Sequence, residues 1–387
     1  LKQILKDLLK NVQVVADGRS DRMKAQVLYD VADLRYEEVS KPQLKKGWVL
    51  VKVKAAGVCG SDIPRIYKTG AHVHPLIPGH EFSGQVVAIY DQSSAEWLGK
   101  RVGIFPLIPC GKCDPCHKKQ YEMCKDYNYL GSRCDGGFAE YVAVPEWNLI
   151  ELPDNVTYEQ AAMMEPMSVA VHAIRQFDGL IRNGQKADNT DDYIKDKSVC
   201  IIGLGTIGLL LTMFLIDAGI KNIYVICNKM AQKEQALELG IPENNIVVEA
   251  EKEKNIADKS AISMCLKEYD YVFECVGRQE TVCRAIELAA SAAHIVVVGN
   301  PYSDMSFPKD IYWKLLRYQL KLGGTWNSSY TKSDSDDWHY VLGRLKAGSI
   351  HPEKLITHRY SLEDIHKGME IMRDKTEDYV KVMLYEF

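Results

Sequence analysis

The 387-residue sequence carries almost no net charge: 48 Lys and Arg stand against 52 Asp and Glu, a formal charge of −4. Without a basic excess nothing points to nucleic acid as a partner. The sequence also lacks an internal repeat and a low-complexity tract. It shows no secretory signal, because charges interrupt the apolar residues of 1–10. Its long uncharged run, eighteen residues from Val199 to Ile216, contains Gly203, Gly205 and Gly208. Those glycines fit a strand, a tight turn and a buried helix better than a membrane span. The expectation is a soluble, cytoplasmic protein with no membrane partner.

Cysteine is not scarce. Eleven cysteines paired as disulfides would imply secretion. Four of them, Cys110, Cys113, Cys116 and Cys124, instead crowd into fifteen residues, with two, two and seven residues between them. That is too tight for an ordinary disulfide framework and suits one metal ion. Four thiolates fill a tetrahedral zinc shell and leave no open position, so the site is read as structural. Cys200 and Cys275 fall on apolar strand ends and are expected to be small core residues.

The chain divides by pattern. Residues 1–22 stand apart as an N-terminal extension, vector-derived or native, with apolar residues at helical spacing from Leu1 to Val12. From Met23 to about Glu151 short strands alternate with Gly and Pro, including Val49–Val53, Gly84–Ile89 and Ala139–Val144. From Ser198 onward strand and helix alternate, which predicts a parallel sheet covered by helices. The expected class is α/β: a Rossmann-type doubly wound domain at 171–320, and a mainly β domain at 23–170 and 321–387 carrying the metal-rich lobe. The polar run Arg182–Lys197 is expected to be an exposed loop.

Within the α/β half, a buried strand runs into Gly203-Leu-Gly205-Thr206-Ile207-Gly208 and then a helix. The first Gly makes the turn, the second admits a pyrophosphate to the backbone, and the third lets helix pack on strand. Free N–H groups and the dipole at the helix start then favour phosphate. Val276 and Gly299, at the ends of later strands, complete the expected cofactor set. An Asp or Glu after the second strand would bind the ribose 2′-hydroxyl of NAD. Here Ile226 is followed by Cys227, Asn228 and Lys229. The missing acid removes a barrier to a 2′-phosphate, and Lys229 could pair with one, so NADP or dual use is favoured.

Cys59-Gly-Ser61-Asp62 is followed by Gly79-His80-Glu81 and, further on, by Met164-Glu165-Pro166-Met167-Ser168. With the glycine loop and the four-cysteine lobe, in this order, these segments resemble the zinc-containing medium-chain dehydrogenase/reductase family from about Met23 to Phe387. Within that family the likeness is greatest to the branch that oxidises polyols and polyol phosphates. The resemblance implies a GroES-like catalytic domain and two zincs per subunit. It implies a catalytic zinc held by Cys59, His80 and Glu165, Glu81 adjacent to it, and Asp62 orienting His80. Ser61 matches the hydroxyl that takes up the alcohol proton. Relatives of liver alcohol dehydrogenase carry a relay His five residues after the first ligand. Here that position is Pro64, so water must finish the relay.

Arg65 and Lys68 follow the metal-binding loop closely and are candidates for a substrate phosphate. Trp326 and Asn327 fall where sorbitol dehydrogenases carry substrate-binding residues, but the Arg expected nearby is absent. Phosphorylated hexitols or pentitols therefore lead as substrates, with free polyols second. A crystallin-like protein that binds nucleotide without a metal is a rival class, opposed by Cys59, His80 and Glu165 occurring together. A homodimer or homotetramer is expected, since His294–Gly299 would end the cofactor sheet in an exposed edge.

Overall fold

The computed structural model describes residues 21–177, 196–249 and 267–387. The proposed helix in the N-terminal extension and the polar loop at 182–197 fall almost wholly outside these residues. The described chain forms two compact units. One comprises the residues up to Glu165, Tyr330–Lys332 and Leu342–Phe387, the other Pro166–Ser329 and Ser333–Val341.

The first unit is built on a seven-stranded sheet. Its path runs Ile356–Ser361, Lys381–Glu386, Trp48–Val58, Glu81–Ile89, Arg101–Ile104 and Leu149–Glu151, with Tyr141–Pro145 also pairing to Trp48–Val58. Val49, Val51, Val53, Phe82, Val86, Val102, Val142 and Val144 are buried between its strands and the surrounding turns. β-Branched side chains dominate this list, as a pleated, covered surface favours. A hairpin of Arg22–Asp30 and Asp33–Ser40 stands beside it. Arg22 already pairs with Ser40, so the N-terminal extension ends sooner than residue 22.

In the second unit six strands run parallel in the order Ile246–Val248, Asn222–Cys227, Ser198–Ile202, Tyr269–Glu274, Ala289–Val297 and Lys321–Gly324. Val199, Cys200 and Ile201 are wholly buried, as expected of a strand covered on both faces. The strand order reverses at Ser198–Ile202, so the glycine loop that follows it lies at the topological switch point, where such sheets bind ligands. The helix Thr206–Asp217 is buried from Gly208 to Leu215, which explains its uninterrupted apolar sequence.

Two expectations need correction. The return to the first unit does not begin at 321, because Lys321–Gly324 adds in parallel to Ala289–Val297 as a sixth strand. For the same reason His294–Val297 is internal, and the edge on this side of the sheet is the exposed Lys321–Gly324. Two glycines in a four-residue segment hide this strand from a reading by β-propensity. Among the described residues no helix is long and apolar enough to cross a membrane.

Candidate metal centres and cofactor loop

Cys59 directly follows the Trp48–Val58 strand, and His80 directly precedes the Glu81–Ile89 strand. These strands are antiparallel neighbours, and Gly57 pairs with Glu81. The pairing therefore carries Cys59 to His80 and Glu81, and one ligand atom of each lies within 4.8 Å of the others. Gly57 has a steric reason: a Cβ there would strike Glu81 Oε2 and the Lys381 side chain. Lys381, only 2% exposed, forms an ion pair with Glu81 and donates to the Val58 carbonyl at 3.1 Å.

Asp62 is fully buried and accepts from the Cys59 amide at 3.0 Å and from the Arg65 guanidinium at 2.5 Å. Its Oδ1 also lies 3.4 Å from His80 Nδ1, without hydrogen-bond geometry. Burial alone would raise the Asp62 carboxyl, but His80 and Arg65 hold it below the usual carboxylate range. The Ser61 hydroxyl sits 3.3 Å from Cys59 Sγ. A half-buried thiol with a buried imidazole and carboxylate at this spacing are the donor types of a catalytic zinc with an open position, so the residues fit the metal.

Glu165 is not one of these three clustered groups. It lies in the first turn of the helix Met164–Arg175, and its Oε1 accepts the Tyr129 hydroxyl at 3.1 Å. Burial, with Glu81 adding and His80 opposing, raises its carboxyl to about 7. Glu81 is thus the carboxylate that lies within 4.8 Å of the ligand atoms of Cys59 and His80, while Glu165 hydrogen-bonds to Tyr129 next to His80. Sequence reasoning missed Tyr129 and Lys381, since neither belongs to a motif and each meets its partner only through the fold.

Arg65 is already committed. Its guanidinium meets Asp62 three residues earlier, so it braces a side chain next to His80 and is not a free cation for substrate. Lys68 is exposed in the last turn of the same short helical segment.

The four clustered cysteines do converge. Their sulfurs all lie within 4.8 Å of one another, with Cys113 at 3.5 Å from Cys116 and 3.8 Å from Cys124. The backbone amides of Lys125 and Cys116 lower the Cys113 thiol to about 6, while burial pushes Cys116 up to about 12. Thiols in this proportion are crowded around one space, and four of them close a tetrahedral shell.

In the second unit Gly203 and Gly208 have close neighbours that require glycine. Gly203 has φ +93°, and a Cβ there would strike Val276. A Cβ on Gly205 would meet nothing within 4 Å, leaving room for a ligand to approach the backbone. A Cβ on Gly208 would strike the Gly203 carbonyl. Thr206 and Ile207 form the first turn of a helix whose N-cap, Gly205, makes no side-chain cap hydrogen bond. Val276 and Gly299 flank a backbone-to-backbone contact, where a Cβ on Gly299 would meet the Gly277 amide. Glu274, unremarked in the sequence, fixes this turn. Its Oε1 accepts from the amides of Val276 at 2.8 Å and Gly277 at 2.9 Å, and from Thr281 Oγ1 at 2.7 Å.

Cys227 is buried at the end of its strand, the Asn228 amide donates to Gln232 Oε1 at 3.2 Å, and Lys229 stands at the uncapped start of the Met230–Glu238 helix. Trp326 and Asn327 belong to the second unit. Trp326 is exposed, and Asn327 adopts φ +58° with Oδ1 accepting from the Ser328 amide at 3.0 Å.

A dinucleotide loop at the switch point of a parallel sheet, in a chain that also gathers four thiols in one lobe and a thiol, imidazole and carboxylate in another place, defines a zinc-dependent dehydrogenase. The chain belongs to the zinc-containing medium-chain dehydrogenase family, and zinc and a nicotinamide dinucleotide are its cofactors. Residues 45–154 match the alcohol dehydrogenase GroES-like domain and residues 206–347 the zinc-binding dehydrogenase domain. Galactitol 1-phosphate 5-dehydrogenase of Escherichia coli is 33% identical over 87% of this chain and 92% of its own length. The crystal structure of galactitol-1-phosphate dehydrogenase from Escherichia coli matches with a TM-score of 0.80 and 31% identity, covering 94% of this chain and all of that one. L-Threonine 3-dehydrogenase of Bacillus licheniformis is 30% identical over 87% of this chain and 92% of its own.

Proposed function

We propose that this dehydrogenase transfers hydride between a secondary alcohol of a hexitol or pentitol phosphate and NAD(P), giving a ketose phosphate. The observation that carries the chemistry is the cluster of Cys59, His80 and Glu81, with Glu165 beside it where a second thiolate could have stood. The substrate class rests on the likeness to galactitol 1-phosphate 5-dehydrogenase. When bound, zinc polarises the substrate hydroxyl and the dinucleotide accepts the hydride. Cys59, His80 and a carboxylate from Glu81 or Glu165 would hold the metal. Asp62 steadies the Cys59 loop through its amide, and the Ser61 hydroxyl, 3.3 Å from Cys59 Sγ, would receive the alcohol proton. A panel of phosphorylated and free polyols, each assayed with NAD and NADP, tests the reading. Preference for free polyols throughout would replace it with the second candidate, a sorbitol- or xylitol-like dehydrogenase. The described cysteines are all free, which suits a reducing cytoplasm.

On the cofactor, the residues after the Asn222–Cys227 strand support use of NADP at least comparable to NAD. Cys227→Asp is expected to lower catalytic efficiency with NADP about tenfold or more relative to NAD, through repulsion between the new carboxylate and the 2′-phosphate. A wild-type enzyme strongly selective for NAD would overturn this assignment.

The chain is also expected to assemble as a homodimer or homotetramer. The edge strand Lys321–Gly324 exposes its unpaired backbone, and Leu322 on it is 38% exposed. Such an edge is a ready template for pairing with a second copy. Sedimentation at micromolar concentration that returned a monomer would sink this expectation.

A further inference from the structure

A phosphorylated substrate needs a cation that the protein has not already neutralised. Arg65 fails that requirement, because it is bound to the buried Asp62. Arg133 meets it. It is partly exposed, and among the described residues no carboxylate pairs with it. Its guanidinium lies 4.5 Å from the centre of the Tyr127 ring. The nearest carboxylate in sequence, Asp135, accepts the Ile77 amide at 2.9 Å.

The position of Arg133 is fixed by backbone packing against the metal site. Its amide donates to the Tyr129 carbonyl at 2.9 Å. The turn that carries it presses on the segment leading into His80: a Cβ on Gly131 would strike the Gly79 carbonyl and lie 2.8 Å from the His80 amide. A Cβ on Gly136 would strike the same carbonyl, which accepts the Gly137 amide at 2.7 Å. These glycines let two backbones touch, and no bulkier residue would allow it. From Arg133 a run of rings leads back to the cluster. Tyr127 is 6.2 Å from Tyr129, and Tyr129 is 5.8 Å edge-on to His80 and hydrogen-bonded to Glu165.

We propose that Arg133 is the phosphate-binding subsite of this active centre and so the determinant of specificity for phosphorylated polyols. The inference rests on the polyol-phosphate reading and names a different cation from the one nearest the metal motif in sequence. Arg presents a planar fork matched to phosphate oxygens, and stacking on Tyr127 pre-organises it. The phosphate is remote from the reacting carbon, so its binding serves ground and transition states alike.

The test compares wild type, Arg133→Gln and Arg133→Lys on a hexitol phosphate and on the same hexitol without phosphate. In Arg133→Gln the Michaelis constant for the phosphorylated substrate should rise about 10- to 100-fold with kcat little changed. Kinetics with the free hexitol should stay the same, which also shows that the variant folds. Inorganic phosphate should inhibit wild type competitively and the variant much more weakly, and Arg133→Lys should recover part of the loss. Equal losses on both substrates, or no loss in an enzyme that does prefer the phosphorylated one, would overturn the subsite. A wild type that shows neither preference for phosphorylated polyols nor inhibition by phosphate would overturn the polyol-phosphate reading itself, and the subsite with it.

Discussion

Cys113→Ser is expected to cost the protein one of its two zincs and to destabilise the lobe from Cys110 to Cys124. This stretch has little else to hold it. Its regular structure is one helical turn at Asp114–His117 and another at Tyr121–Met123. Met123 is 50% exposed, and within the stretch Cys116 and Cys124 are themselves the buried apolar residues. Local propensity cannot sustain helices this short, because nucleation is unfavourable and few bonds follow it. The four thiols converge instead, so bound metal takes the place of a core. Structural zinc contributes on the order of 10 kcal/mol in isolated zinc-finger peptides, where it drives folding outright. In a lobe attached to a large sheet the loss should be smaller, with Tm falling on the order of 10 °C. Elemental analysis should find one zinc per chain where wild type has two, and calorimetry should find the lower transition. Unchanged Tm with two zincs retained would mean that the lobe is held by packing and that the metal reading of these cysteines is wrong.

The fold was legible where local and global signals agree. The apolar run at Val199–Ile202 is the strand covered on both faces that was expected, and two of the glycines after it, Gly203 and Gly208, have the steric duty their spacing implies. The sheet edge was not legible. Lys321-Leu-Gly-Gly324 is a strand only because Ala289–Val297 offers it a ladder, and tertiary pairing overrides a segment's own preference. The site divided in the same way. Cys59, His80 and Glu81 come together because two adjacent strands pair in register, which the sequence motifs imply. Lys381 reaches Glu81 across 300 residues, and Tyr129 reaches Glu165 across 36, so no spacing rule could join them. Arg65 illustrates the opposite error. Its closeness to Cys59 in sequence suggested a substrate contact, but three residues along a helical turn is also the spacing that places it on Asp62.

Cys59→Ala is expected to abolish turnover while leaving the fold intact, the reverse of the Cys113 phenotype. Cys59 sits at the end of a strand whose core-facing residues it does not supply. Its side chain is half-buried, and the Ser61 hydroxyl is the hydrogen-bonding partner of its sulfur. Deleting that sulfur removes no large apolar contact, so stability should change by about 1 kcal/mol or less. The neighbouring framework is independent of it: Asp62 keeps Arg65, and Glu81 keeps Lys381. What is lost is one of the donors that would hold the catalytic metal, and with it the polarisation of the substrate hydroxyl. Lewis-acid stabilisation of developing charge is worth several kcal/mol, so kcat/KM should fall roughly a thousandfold or more. Dinucleotide binding should persist, because Gly203, Gly205 and Gly208 belong to the other unit. Titration of the variant with the reduced dinucleotide, followed by fluorescence, checks that point beside the zinc content and Tm. A variant that kept two zincs and turned over within about tenfold of wild type would show that His80, Glu81 and Glu165 suffice, and that the thiol is not a ligand. A variant that lost Tm as steeply as Cys113→Ser would show instead that Cys59 belongs to the architecture of the first unit.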